Sequence, residues 1–326
     1  MPSAPPVPRV KPAALRPGDT VGIVAPASNI KRDWLEAGCA ALERMGYKPF
    51  YFDSIFEKEL YFAGSVERRL REFEEMFVRE DVRAIICARG GYGSNYLLER
   101  IDLGKVRANP KVFVGYSDIT TLLTYFTDAT GLITFHGPMV TKDFSVAEGM
   151  DLPSWNSAVT GDSSWDLKLG ADSGVKALAA GRCEGTLYGG CLSMLVESLG
   201  TPYEIHTDDT ILFIEDIAAK PYQIDRMLMQ LKLAGKLAGV RGLVFGQMLD
   251  CVQHKDQGYT LEEVILRIVG DLQIPIAYGL RSGHVSRQNV TLPIGVRASL
   301  AVSNDEVTLK ILEAATTPAA VRSMKV

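Results

Sequence analysis

Apolar and polar positions follow two alternating periods over the first 142 residues. Short β-branched runs lie at 20–28 ("TVGIVAPAS"), 48–52 ("KPFYF"), 82–87 and 111–115. Between them, apolar residues recur at helical spacing over 33–47, 66–80 and 116–131, the last within "KVFVGYSDITTLLTYFTDATG". The stretch "VRAIICARGGYGSNYLLERI" (82–101) predicts a buried strand, a glycine turn and a helix. Strands alternating with helices of this length imply parallel β-α-β units, with ligands gathering beyond the carboxyl ends of the strands. Both glycine turns, at 90–93 and 115–118, fall on that edge.

The pattern fades over 143–180, where Ser, Gly and Asp are frequent and an irregular or short-strand connection is expected. A second unit begins at "GRCEGTLYGGCLSMLVESLG". Strands are predicted at 210–215, 241–246 and 290–302, with helices near 221–234 and 260–271. The chain therefore divides into a loose arm (1–16), an N-terminal α/β domain (17–142), a connecting segment (143–180) and a strand-rich C-terminal domain (181–326).

Composition narrows the function. With 47% hydrophobic and 23% charged residues, the chain has the make-up of a globular protein with a sizeable core. A net charge of -4 and the lack of a basic, aromatic-laced block exclude a general nucleic-acid binder. Five cysteines, odd in number and with no CxxC pair, suit reduced thiols in a cytoplasm. No membrane span or signal peptide is expected.

The candidate chemistry starts at Ser117. Valines and Phe113 feed a strand, Gly115 precedes the serine by two, and a helical pattern follows. A nucleophile elbow has this layout, although the final glycine of G-x-S-x-G is missing, with Ile119 two residues after the serine. The alternative is that Ser117 or Asp118 caps the helix. A serine needs a base. Of the four histidines, His284 sits in "YGLRSGHVSRQNVTLPIG", where Gly283 and Ser282 let the backbone turn the ring into a cleft. His136 in "ITFHGP" is the second choice, and His206 and His254 lie in polar stretches. An orienting acid is offered by Glu215 or Asp216, directly after the apolar run "TILFI", though either could cap the helix that Pro221 begins. The turn "ARGGYGSN" is a weak phosphate loop, and a better oxyanion-binding amide beside Ser117, paired with that of Asp118. Cys191 opens a helix, which could depress its thiol pKa, or it is a small buried residue. Neither metal-binding spacing nor a cofactor motif is present.

Together, "GDTVGIVAPAS", "ARGGYGS", "VGYSDITTLL", "FHGPM", "GTLYGG", "LGTPYE", "ILFIEDIAAKPYQIDRMLMQLKLAG" and "GHVSRQNVTLPIG" resemble the LD-carboxypeptidase family over about residues 17 to 300. That family of serine peptidases includes murein tetrapeptide carboxypeptidases and microcin C immunity hydrolases. The resemblance implies an α/β fold with an N-terminal doubly wound parallel sheet. It also implies a smaller C-terminal, strand-rich, barrel-like domain, a site in the groove between them, and a homodimer. It matches Ser117 to the nucleophile, Glu215 to the acid, His284 to the base, and the amides of Gly91 and Asp118 to the oxyanion hole. Where the family often has asparagine after the diglycine, this chain has Cys191, a weaker partner for substrate amides.

The implied activity is hydrolysis of an L,D peptide bond, releasing terminal D-alanine from a cytoplasmic muropeptide, without metal, cofactor, nucleic acid or membrane. Arg89 and Arg287 are candidates to bind the terminal carboxylate. Two alternatives are a microcin C-type aminoacyl-nucleotide hydrolase, with Trp155 or Trp165 stacking the base, and a nucleotide-binding protein using "RGGYGS".

Overall fold

The computed structural model describes residues 7–169, 173–252 and 258–318. Its strands in chain order are β1 (Thr20–Val24), β2 (Lys48–Phe50), β3 (Val82–Cys87), β4 (Val112–Gly115), β5 (Thr134–His136), β6 (Trp165–Leu169) and β7 (Lys176–Ala179). They continue with β8 (Gly181–Cys191), β9 (Thr210–Glu215), β10 (Gly242–Gly246), β11 (Ile276–Leu280), β12 (Leu292–Ile294), β13 (Arg297–Val302) and β14 (Val307–Ile311).

These strands form two sheets. The first has six strands in the order β12-β5-β4-β3-β1-β2, parallel throughout except for the antiparallel edge strand β12. The second has eight, in the order β6-β14-β13-β8-β9-β10-β11-β7, with β8, β9, β10 and β11 mutually parallel. Parallel strands covered on both faces carry continuous apolar runs. All four residues of β4, all six of β9 and all five of β10 are buried accordingly.

The predicted helices at 33–47, 66–80, 221–234 and 260–271 correspond to Arg32–Arg44, Val66–Val78, Pro221–Leu233 and Leu261–Val269. The second of these starts where Ser65 accepts the Arg68 amide in an N-cap. Its buried Arg69 donates to the carbonyls of Pro26 and Gly93, clamping the loop after β1 to the loop after β3.

Three differences from the expected elements have local causes. The described residues of 143–180 hold more regular structure than a connection. They hold the helix Leu152–Thr160, capped by Asp151, before β6 and β7. That helix buries Trp155 completely against Phe144 at 5.4 Å, so Trp155 is a core residue and has no face to offer a nucleobase. The helix expected after the first glycine turn is only a short turn, Ser94–Leu97, and the helix proper is Leu103–Ala108. The run at 290–302 is two strands, and β12 leaves the second sheet to pair with β5 of the first, Leu292 opposite His136. That crossing brings the carboxyl edges of the two parallel arrays together.

Candidate active site

Four residues at or just past the ends of parallel strands make up the candidate site. Ser117 lies two residues past the end of β4. Cys191 ends β8, Glu215 ends β9, and the two are register partners. His284 follows β11 in a loop.

Ser117 holds a left-handed backbone, φ 63°, which a side chain other than glycine adopts at a cost of about 1–3 kcal/mol. The chain passes through it into a turn, Ser117–Ile119, and then the helix Thr120–Thr130. Neither element start is capped by a side chain. The Asp118 carboxylate turns away from its own helix and accepts the amides of Gly93 and Ser94 at 3.3 and 2.9 Å. Ser94 Oγ donates to the Asp118 carbonyl at 2.7 Å. The capping explanation for both residues therefore fails.

These bonds lay the glycine loop over the serine. A Cβ on Gly90 would stand 2.9 Å from Ser117 Cβ, 3.1 Å from its Oγ and 3.3 Å from the Asp118 nitrogen. Only a bare Cα fits. The Gly90 carbonyl accepts the Ser28 amide at 3.4 Å. Because the peptide is trans, the Gly91 N–H points the opposite way from that carbonyl.

Across the seam, Glu215 Oε2 accepts both the His284 backbone amide at 3.0 Å and the ring at Nδ1, 2.7 Å away. An ionised carboxylate only accepts, so Nδ1 carries the hydrogen and Nε2 keeps its lone pair. Burial opposes the Glu215 charge, but His284 and then His136 outweigh it and hold the carboxyl well below the usual range. The loop leaves no slack: a Cβ on Gly283, at φ 89°, would meet Glu215 Cδ at 2.6 Å.

Sequence reasoning missed what fixes this loop. Buried Asn289 accepts the Gly283 amide at 2.9 Å and donates to the Gly283 carbonyl at 3.2 Å, an internal clamp across the turn that carries His284. Asparagine at a loop end gives no distinctive sequence signal, since it is common in turns for other reasons.

The imidazole meets the ring of Tyr116, Ser117's neighbour, edge-on with centroids 5.2 Å apart. Among the described residues, no hydrogen bond joins Ser117 Oγ to the His284 ring. Such bonds often tighten only when substrate is bound. Asp216, the other acid considered, uses Oδ2 for the amide and hydroxyl of Ser193, at 2.9 and 2.6 Å. It thus serves the start of helix Leu192–Glu197, whereas the helix at Pro221 starts on Lys220 and Gln223.

The other candidates divide. His136 is fully buried beside Glu215 and His206 pairs with Asp128 at 3.3 Å, while His254 lies outside the described residues. Half-buried Arg89 donates to the Asn29 carbonyl at 3.2 Å, next to the glycine loop, and Arg287 is exposed three residues past His284. Trp165 stands on β6, an edge strand of the second sheet.

Cys191 is buried, and its amide donates to Thr120 Oγ1 at 3.0 Å, fastening β8 to the helix behind Ser117. Burial first, then Glu215 and Asp216, push its thiol well above the ordinary range, so the depressed thiol pKa considered for a helix start is not realised. The ligand-type atoms of Cys191, Glu215 and His284 lie within 4.8 Å of one another, the one such group among the described residues. Two of the three already share the 2.7 Å hydrogen bond, which fits a thiol abutting an acid–base pair.

On the same edge, a cavity of about 760 Å³ is lined by Gln247, Met248, Tyr278, Gly279 and Ser286. No described helix is long and apolar enough to cross a membrane.

Comparison with known proteins agrees with this architecture. Residues 21–137 match the LD-carboxypeptidase N-terminal domain, and residues 184–300 match the LD-carboxypeptidase C-terminal domain. A probable murein peptide carboxypeptidase of Bacillus subtilis is 38% identical over 291 residues, 89% of this chain and 91% of that protein. The crystal structure of muramoyltetrapeptide carboxypeptidase from Oxalobacter formigenes is 31% identical, with a TM-score of 0.80 over 91% of this chain and 100% of that one. The microcin C7 self-immunity protein MccF, in complex with aspartyl sulfamoyl adenosine, is 25% identical, with a TM-score of 0.86 over 94% of this chain and 100% of that one. With both of its domains matched in order and the two-sheet fold shared, this chain belongs to the LD-carboxypeptidase family.

Proposed function

We propose that the protein is a serine-type LD-carboxypeptidase that removes the terminal D-alanine from muropeptide tetrapeptides. One observation carries this reading: a strained serine turn roofed by a bare glycine adjoins, through its neighbour Tyr116, an imidazole whose Nδ1 is committed to a buried carboxylate. The strain at Ser117 has no capping bond to account for it. A reactive hydroxyl accounts for it.

The steps follow from the donors and acceptors. Ser117 Oγ attacks the carbonyl carbon of the L,D bond while its proton passes to His284 Nε2. Glu215 holds the resulting imidazolium by its Nδ1–H. The carbonyl oxygen, now an anion, is received by the amides of Gly91 and Asp118, each such donor lowering the barrier by on the order of 3 kcal/mol. As the C–N bond breaks, His284 returns the proton to the departing D-alanine amine. Water, deprotonated by the same ring, then hydrolyses the acyl-enzyme and frees Ser117.

Arg89, beside the glycine loop, and Arg287, near His284, are the cations for the terminal carboxylate. Four of the five free cysteines are buried, which suits a reducing cytoplasm. Homodimerisation is part of the same reading. A microcin-type conjugate has less support, because one of its two aromatic candidates, Trp155, is locked in the core.

The test is mass-spectrometric detection of free D-alanine from a disaccharide tetrapeptide. The native protein releases it and Ser117→Ala does not. Release by the alanine variant at the native rate would overturn the assignment.

A further inference from the structure

A second histidine touches the acid of the site from behind. His136, the last residue of β5, is fully buried, with its ring edge-on to Phe213 at 5.0 Å and 6.0 Å from Tyr116. Its Nδ1 lies 3.0 Å from Ser282 Oγ. Its Nε2 faces Glu215 Oε1, the oxygen that His284 does not use, at 3.8 Å. Both of these facing atoms are buried and without a hydrogen-bond partner.

Proton accounting decides what this contact is. A hydroxyl has one hydrogen to give. Ser282 Oγ gives its hydrogen to the Val290 carbonyl at 2.8 Å. Toward His136 it can then only accept, so His136 Nδ1 must be the donor. A neutral ring with its hydrogen on Nδ1 would aim the Nε2 lone pair at a carboxylate oxygen, two buried acceptors face to face. Both would then stay buried and unpaired, which is costly. A proton on Nε2 removes the conflict and turns it into an attraction, and about 1 Å of approach makes a hydrogen bond.

We infer that His136 is a positively charged positioning residue that grips Glu215 Oε1, so that one carboxylate is held between two histidines. Glu215 then cannot rotate away from His284, and its charge is shared. With its charge shared, Glu215 stabilises the imidazolium that forms on His284 less than an unshared carboxylate would. This consequence for catalysis rests on the function proposed above; the charge on His136 does not.

Several groups that titrate or carry charge lie around the two rings. Glu215 faces both. Tyr116, at the end of β4, and Cys191, at the end of β8, are pushed up by burial and stay neutral. Lys142 sits 5.6 Å from the Tyr116 ring centre. Asp143 acts on Tyr116 and is itself raised by burial to about 6.

The direct experiment is nitrogen NMR of the intact resting protein with ¹⁵N-labelled histidine at neutral pH. Gln variants of His206, His254 and His284 identify the His136 signals by elimination. Both His136 nitrogens should resonate as protonated. One protonated and one bare nitrogen would overturn the inference, whether or not the protein cleaves muropeptides. The second measurement is the pH profile of kcat/KM for His136→Gln, repeated in an Asp143→Asn background to remove that group's titration. The acid limb should move up by about one pH unit. A limb that stays in place in a folded variant would refute the positioning role. If His136→Gln does not fold, the NMR result decides alone. Ser117→Ala retaining full activity would sink the proposed function and leave the His136 charge untouched.

Discussion

The carboxylate of Asp118 accepts the backbone amide of Ser94 at 2.9 Å, tying the turn after β4 to the turn after β3. With the Gly93 amide on its other oxygen, it is the strut that sets the glycine loop over Ser117. Burial raises this carboxyl, opposed chiefly by its bonds to Ser94. Asp118→Ala leaves two buried amides without an acceptor, and hydrogen bonds to charged groups contribute about 1.5–3 kcal/mol each. The variant should lose about 2–4 kcal/mol in urea unfolding and at least tenfold in kcat/KM. Asp118→Asn, which keeps one acceptor oxygen, should fall between. Native kcat/KM in a folded Asp118→Ala would show that the loop is held by other means.

Gly90→Ala tests the space above Ser117. The added methyl would sit against Ser117 Cβ and Oγ, at 2.9 and 3.1 Å, where a carbonyl carbon must approach. Because φ at Gly90 is not in the left-handed region, the backbone itself accepts alanine. D-alanine release should drop by more than a hundredfold, and the melting temperature should fall as well, because contacts at 2.9 Å to Ser117 Cβ and 3.3 Å to the Asp118 nitrogen force the loop or the serine turn to shift. An active Gly90→Ala enzyme would place the substrate carbonyl elsewhere.

Much of this site was legible in the chain because its parts are local. A β-branched run, a glycine and a serine before a helical pattern place a strand-to-helix turn at Ser117, with elbow and cap both open, and "TILFIED" leaves an acid at a strand's end in the same local way. Long-range features were not legible. Periodicity assigns residues 292–294 to a strand but cannot say that the strand pairs with β5 and not with its neighbour β13. Trp155 reads as one apolar residue in a polar stretch, and only tertiary packing makes it the centre of a helix. The Asn289 clamp and the His136 contact depend on side chains meeting from separate segments. Nothing in residue spacing encodes them.

The buried Glu215 makes stability depend on pH in a set direction. Its folded carboxyl lies below the unfolded value of about 4.3, so its contribution is complete above that pH. As the pH drops below about 4.3, the unfolded chain takes up a proton that the folded chain resists, and stability falls by up to about 1.4 kcal/mol per unit. Asp143 acts with the opposite sign. Raised to about 6, it withdraws stability as the pH climbs from about 4 toward 6. Comparing native protein with Glu215→Gln by urea unfolding isolates the first effect. The difference between them should shrink steadily below pH 4.3, and a constant difference would mean that Glu215 is not ionised in the fold.

Asn289→Ala tests whether the His284 loop must be held from within. The substitution removes both bonds to Gly283 and leaves a buried amide and carbonyl unmatched. Stability should fall by about 1–3 kcal/mol. The kcat should fall more than KM rises, because a displaced imidazole impairs proton transfer more than binding. A rise in KM alone, with kcat preserved, would assign the loop to substrate contact instead.

Two nucleophilic side chains belong to the candidate site, the Ser117 hydroxyl and the Cys191 thiol, and their surroundings treat them in opposite ways. Ser117 is partly exposed on a strained turn beneath the glycine loop. Cys191 is buried and its thiol is pushed well above the ordinary range, which leaves little thiolate to react. A fluorophosphonate should therefore label Ser117 stoichiometrically, and iodoacetamide at neutral pH should leave Cys191 unmodified and D-alanine release intact. Peptide mapping of both adducts checks this. Rapid alkylation of Cys191 with matching loss of activity would transfer the nucleophile's role to the thiol, and Ser117 would then have to be explained by the strained turn alone.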